Sequence, residues 1–209
     1  MTESMIMSGR AFSRYVNTNR LFDDDILPRG IDMNIFLNSV RRSRILEERI
    51  CEAYHLETMP SIVMKRLIDR LLMFSYEDID TVFSRAAVYM NIVYIKSIAD
   101  ARQVREFIDM VGKDFYMFAC TSSNEISAET YNRDKLSLMV KQDENMCCSA
   151  WISMYPSNIR PFIVLRFPKD KQPSAFYGDI RTSLRAINVV LQHWKGDAVN
   201  ATEERIAVS

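Results

Sequence analysis

Across residues 174–195, Phe176, Ile180, Leu184, Ile187, Leu191 and Trp194 recur at steps of four, four, three, four and three. That spacing puts them on one stripe of an α-helix, with Asp179, Arg181, Thr182, Arg185, Asn188 and Gln192 on the other side. A helix with one apolar stripe must lie on something. The nearest support is a set of short apolar runs upstream, at 115–120, 136–140, 146–155 and 162–167, which read as strands. In 146–155, Met146, Cys148, Ala150, Ile152 and Met154 alternate with Cys147, Ser149, Trp151, Ser153 and Tyr155, a period of two. The polar stretch 141–145 between two of these runs suits a five-residue hairpin connection, and Pro156, Pro161 and Pro168 bound the last strands.

The N-terminal half has helical spacing instead. Asp32 is placed to cap a helix over 32–56, with Met33, Phe36, Leu37, Val40, Leu46 and Ile50 inward. A second helix begins at Pro60 and a third at Ser75, the latter carrying Ile79, Val82, Phe83, Ala86, Met90 and Val93 on one face. A fourth spans 100–111 and stops at Gly112. The expected class is α+β: a helical half of about four helices, then a three- or four-stranded antiparallel sheet packed by the long C-terminal helix. Residues 1–31 read as a partly flexible arm, 32–196 as one domain (helical half 32–112, sheet and helix 113–196), and 197–209 as a flexible tail.

Composition narrows function more than it names it. Only five glycines occur, where ~7% usage would give roughly 15, so backbone cradles for phosphate are scarce. No nucleotide loop, nucleophile elbow or metalloprotease helix is written in the chain. Cys147 and Cys148 would face opposite sides of a strand, and His55 and His193 lie at helix ends, so neither a metal site nor a catalytic base is expected. The expectation is a non-enzymatic protein without cofactor or metal, with an enzyme that carries no recognisable motif as the minor alternative. Thirteen methionines give an adaptable core and an adaptable binding face, a bias shared with viral structural and accessory proteins. No secretory leader or membrane span is read, which points to the cytoplasm or nucleus with reduced thiols.

Two partner surfaces follow. In the first, a self-associating assembly protein uses the aromatic arm, with Phe12, Tyr15, Leu21 and Phe22 reaching a neighbouring subunit. In the second, RNA lies on the C-terminal half, where residues 156–195 are five more basic than acidic in a chain of zero net charge. Arg166, Lys169, Lys171, Arg181 and Arg185 would hold phosphates, Trp151 and Tyr155 would stack bases, and Arg41, Arg42 and Arg44 would extend the surface.

Overall fold

The polar stretch 141–145 does not turn. Lys, Gln and Glu are good helix formers, and no Gly or Pro falls between Leu136 and Ser153, so nothing stops the helix. In the computed structural model, which describes residues 5–7, 16, 18–56, 62–122, 135–169 and 179–194, the expected hairpin is one helix, Leu136–Ser153. The described chain is mostly helical, and the expected α+β fold with a three- or four-stranded sheet is overturned. Strand β1 (Met5–Met7) pairs antiparallel with β2 (Ile62–Met64), and these three-residue strands are the only β structure among the described residues.

The helices are α1 (Thr18–Asp23), α2 (Asn34–Leu37), α3 (Val40–Ala53), α4 (Tyr76–Ile98), α5 (Ala101–Val111), α6 (Lys113–Thr121), α7 (Leu136–Ser153), α8 (Arg160–Val164) and α9 (Ile180–Gln192), with a 3-10 helix at Leu67–Met73. The run 115–120 is therefore α6, not a strand. It holds no β-branched residue, and its buried Phe115, Tyr116 and Ala119 share a helical face. The run 162–167 is α8 and a turn, with Pro161 in the first helical turn where a missing donor is harmless. Along α7, the residues from Cys147 to Ile152 are all buried. A helical segment covered all round has no polar face, which is why the alternation there imitates a strand.

Expected caps are present where the chemistry is clear. Asp100 accepts from the backbone N–H groups of Arg102 and Gln103 at 3.0 and 2.9 Å, and the Gln103 side chain reaches back to the Asp100 N–H. Gly112 ends α5 at φ +83°, open to glycine alone at little cost. Asp32 accepts from Asn34 N–H at 2.9 Å, but the helix it starts is only α2. Ser39 takes extended backbone, and α3 begins anew after it. The described C-terminal helix is α9, capped by Asp179. Its buried side is Ser183, Ala186, Ile187, Val190 and Leu191, while Ile180 is exposed, so the observed face is turned from the expected stripe. Residues 174–178 and the tail 197–209 lie outside the described residues.

The chain forms two compact units, each discontinuous in sequence: Met1–Tyr76 with Trp151–Ala175, and Glu77–Ala150 with Phe176–Ser209. In the first, Val16, Leu21, Ile26, Leu27, Leu46, Ile50 and Leu165 make one core cluster, against which Phe22, Met33, Phe36, Tyr54 and Leu56 pack. Aromatics add a second group. The Trp151 ring lies 6.0 Å from Tyr155 and 6.4 Å from Phe167, both edge-on, and Phe167 meets Tyr76 at 5.9 Å. Arg166 is 1% exposed and donates to the carbonyls of Leu71 (2.9 Å) and Phe74, which closes the end of the 3-10 helix. In the second unit, Arg85 donates to the Val111 carbonyl at 3.1 Å and lies over the rings of Phe115 and Trp194. Asn91 on α4 donates to Asp143 on α7 at 2.6 Å, and Tyr89 stacks on Phe118 at 6.4 Å.

Candidate protein interface

Side chains expected to meet RNA divide sharply by burial. Trp151, Tyr155 and Arg166 are 0%, 3% and 1% exposed, so no base can stack on the first two and no phosphate can reach the third. No sheet that could present them on an outer face is formed among the described residues. Tyr155 instead donates to Asp69 at 3.0 Å. Asp69 is itself buried. Its burial would raise the carboxyl pKa, but the Arg66 guanidinium, the N–H groups of Arg66 and Lys65, and Tyr155 outweigh that and hold it below its ordinary value. The same Asp69 pushes up the pKa of Tyr155, after burial, which comes first. These are structural bonds of the first unit.

Lys169 is exposed but paired, donating to Asp24 at 2.7 Å. Tyr54 donates to the other Asp24 oxygen at 2.6 Å, and Arg20 stands 3.6 Å from it. The hydrogen bonds from Lys169 and then Tyr54 keep the Asp24 carboxyl below its ordinary value, while burial and Asp24 push Tyr54 up to about 12. Arg181 and Arg185 are exposed on α9 in the second unit, and Arg41, Arg42 and Arg44 are exposed on α3 in the first. Lys171 lies outside the described residues.

Of the arm residues, Leu21 is 0% exposed inside its own unit's core and Phe22 is half-buried against it. They anchor the chain and are not offered to a neighbour. Phe12 and Tyr15 lie outside the described residues.

The two adjacent thiols are turned inward, whereas His55 and His193 are exposed. Cys147 and Cys148 are buried in α7, and burial raises both thiols far above their ordinary value, which keeps them protonated and inert. Cys51 on α3 is raised as well, by burial and then by Glu47. All four cysteines are free thiols. Among the described residues no group of three His, Cys, Asp or Glu could hold a metal ion, and no helix is long and apolar enough to cross a membrane.

One cleft of about 400 Å³ opens in the first unit, walled by Tyr54, Pro161, Val164 and Leu165, with Arg20, Ser157 and Arg160 as its polar side. Both guanidiniums are fixed by backbone: Arg20 donates to the carbonyl of Val164 at 3.2 Å, Arg160 to those of Tyr155 and Ser153 at 2.7 and 2.9 Å. Such a cleft can hold a small acidic group. The Tyr54 hydroxyl in it stays protonated at neutral pH and offers no base.

Sequence reasoning does not point to the outer side of α2 and α3. Ile35, Val40 and Ile45 are 45%, 66% and 39% exposed there, although the spacing places Val40 in the core. The buried side of α3 is Ser43, Leu46 and Ile50. The stripe Arg41, Ile45, Glu48, Glu52, at steps of four, three and four, is exposed throughout, and Arg44 beside it donates to Glu48 at 2.9 Å. A signal for it does exist in the chain. Arg41, Arg42 and Arg44 interrupt the stripe that would contain Val40, and the buried positions of α3 start at Ser43. No known protein family, curated protein or solved structure matches this chain.

Proposed function

We propose that this protein works by binding other protein chains, its own copies first, and not by catalysis. The observation that carries the reading is the exposed apolar group Ile35, Val40 and Ile45 set among exposed charges on α2 and α3. Single exposed apolar side chains are ordinary, but three within eleven residues across α2 and the first half of α3, among exposed Arg and Glu, support a docking surface. Inert buried thiols agree with it, and free cysteines agree with a reducing compartment such as the cytoplasm.

RNA is the competing partner. Arg181 and Arg185 on α9 give it support, but burial of Trp151 and Tyr155 takes away the stacking that was to accompany them. Sedimentation velocity on the full chain, across two decades of concentration, tests the protein reading. A mass that rises with concentration is the expected result. A monomer throughout, together with retention of labelled single-stranded RNA that weakens steeply with salt and is lost in Arg181→Glu/Arg185→Glu, would replace it with the RNA reading.

A further inference from the structure

We infer that α3 is the surface on which two copies of this chain meet, helix against helix, antiparallel and related by a two-fold axis. This rests on the self-association reading above and names its surface. The argument begins with a local rule that α3 breaks. A helix stabilises acidic side chains in its first turn and basic ones in its last, because its N-terminal end is partly positive and its C-terminal end partly negative. In α3 the first turn has no acidic residue and the last no basic one. Arg41 and Arg42 stand at the positive end and Glu52 at the negative end. Ser39 at the N-cap makes no side-chain cap bond to offset this. Every one of these charges opposes the helix that carries it, and all are exposed.

The same charges are complementary to α3 itself once it is reversed. A two-fold axis makes each contact occur twice, residue i on j and j on i. Laid antiparallel, the basic half of one α3, with Arg41 and Arg44, faces the C-terminal half of the other, where Glu48 and Glu52 outnumber the exposed Arg49, whose guanidinium donates to the Ile26 carbonyl at 3.2 Å. Arg41 and Glu52 then each gain an opposite charge, and the two helix dipoles oppose as well. Ile45 lies within two residues of the helix midpoint and is 39% exposed, so it falls near the axis, where two copies cover each other. Val40 is exposed as well but lies about 140° around the helix from Ile45, so Ile45 is the apolar centre of the paired face. Fourteen residues give α3 a length of about 21 Å. A contact built on one such helix pair is at the small end of specific interfaces, so the association is reversible.

Charge exchange in the full-length chain tests this. Arg41→Glu sets a carboxylate at position 41 against Glu52 of the other copy. Glu52→Arg sets a guanidinium at position 52 against Arg41, and by symmetry each clash occurs twice. Because two exposed pairs are lost and two like-charge contacts replace them, either change should weaken dimerisation on the order of tenfold. Arg41→Glu/Glu52→Arg in one chain should restore the wild-type dissociation constant, and an equimolar mixture of the two single variants should associate more tightly than either alone. Each single change also removes a charge that opposes the α3 dipole. Thermal melts at dilution should therefore hold steady or rise, and loss of association cannot then be put down to unfolding. A wild type that dimerises while the single variants match it, or while neither the double variant nor the mixture recovers, overturns the α3 pairing and leaves self-association standing. A wild type that remains monomeric overturns both.

Discussion

Asp69 is the most heavily committed carboxylate in the first unit, and replacing it by Asn isolates what its charge does. The side chain is 2% exposed. One oxygen accepts the N–H groups of Lys65 and Arg66 at 3.0 and 2.8 Å, and the other accepts Arg66 Nη2 at 2.7 Å and the Tyr155 hydroxyl at 3.0 Å. Asn keeps the shape, but whichever oxygen becomes NH2 sets a donor against the two donors that oxygen had accepted. Leaving a buried donor unmet costs about 1–3 kcal/mol, and Arg66 is half in solvent, so about 3 kcal/mol is expected for Asp69→Asn. Urea unfolding followed by Trp151 fluorescence in a Trp194→Phe background reads this unit alone, and the midpoint should fall on the order of 1–2 M. The pH dependence adds a second constraint. Asp69 is held below its ordinary value of 3.8, so its stabilisation is complete above that value and is lost as pH falls through the folded pKa. The gap between wild type and Asp69→Asn should be flat near neutrality and close in acid. An unchanged midpoint at neutral pH, or a gap that persists undiminished into acid, would refute the assignment.

Three further outcomes are expected. Asp143 carries the opposite sign: burial raises its pKa against the hydrogen bond from Asn91, so its charge destabilises the folded state at neutral pH and that penalty fades as pH falls. Asp143→Asn should therefore raise the neutral-pH melting temperature, helped by an amide N–H for Asn91 Oδ1, which has no hydrogen-bond partner among the described residues; a lower melting temperature counts against it. Gly112→Ala should cost about 1–3 kcal/mol in chemical unfolding from backbone strain at φ +83°, ψ 144°, and not from a clash, since the nearest atom to an added Cβ is Arg85 Nη2 at 3.8 Å. Thiol titration of the native chain should label Cys51 and Cys120, which are partly exposed, and leave Cys147 and Cys148 until denaturant is added; fast labelling of all four would contradict their burial.

Helices that announce themselves by capping chemistry are readable from sequence, and those that do not are easily mistaken for strands. Asp100, Gln103 and Gly112 bracket α5, and each of those residues makes sense only at a helix end. In α4, Ile79, Val82, Phe83, Ala86 and Met90 repeat at helical steps and are all buried. By contrast α6 and α7 carry no strong cap signal, α6 is only nine residues long, and the second half of α7, from Cys147 to Ile152, is buried all round, so periodicity there has nothing polar to contrast with. Composition holds the better evidence: Met, Ala, Leu, Lys, Gln and Glu are helix formers, and β-branched residues are few in both.

The same confusion explains why the candidate surface moves. A half-exposed strand over 146–155 would put Trp151 and Tyr155 on an outer face, and the RNA reading depends on them. As part of a helix and the turn after it, the two are four residues apart, on one side of one element, and so can be buried together against Phe167 and Asp69. In α3 the error runs the other way. Val40 continues the spacing of Met33 and Phe36 and so reads as core, but Ser39 breaks the helix between them and resets the phase. Once the phase is reset at Ser39, the arginines no longer interrupt a buried stripe. They belong to the exposed one, with Ile45, Glu48 and Glu52, and their arrangement against the helix dipole is left as the feature that folding of a single chain does not account for.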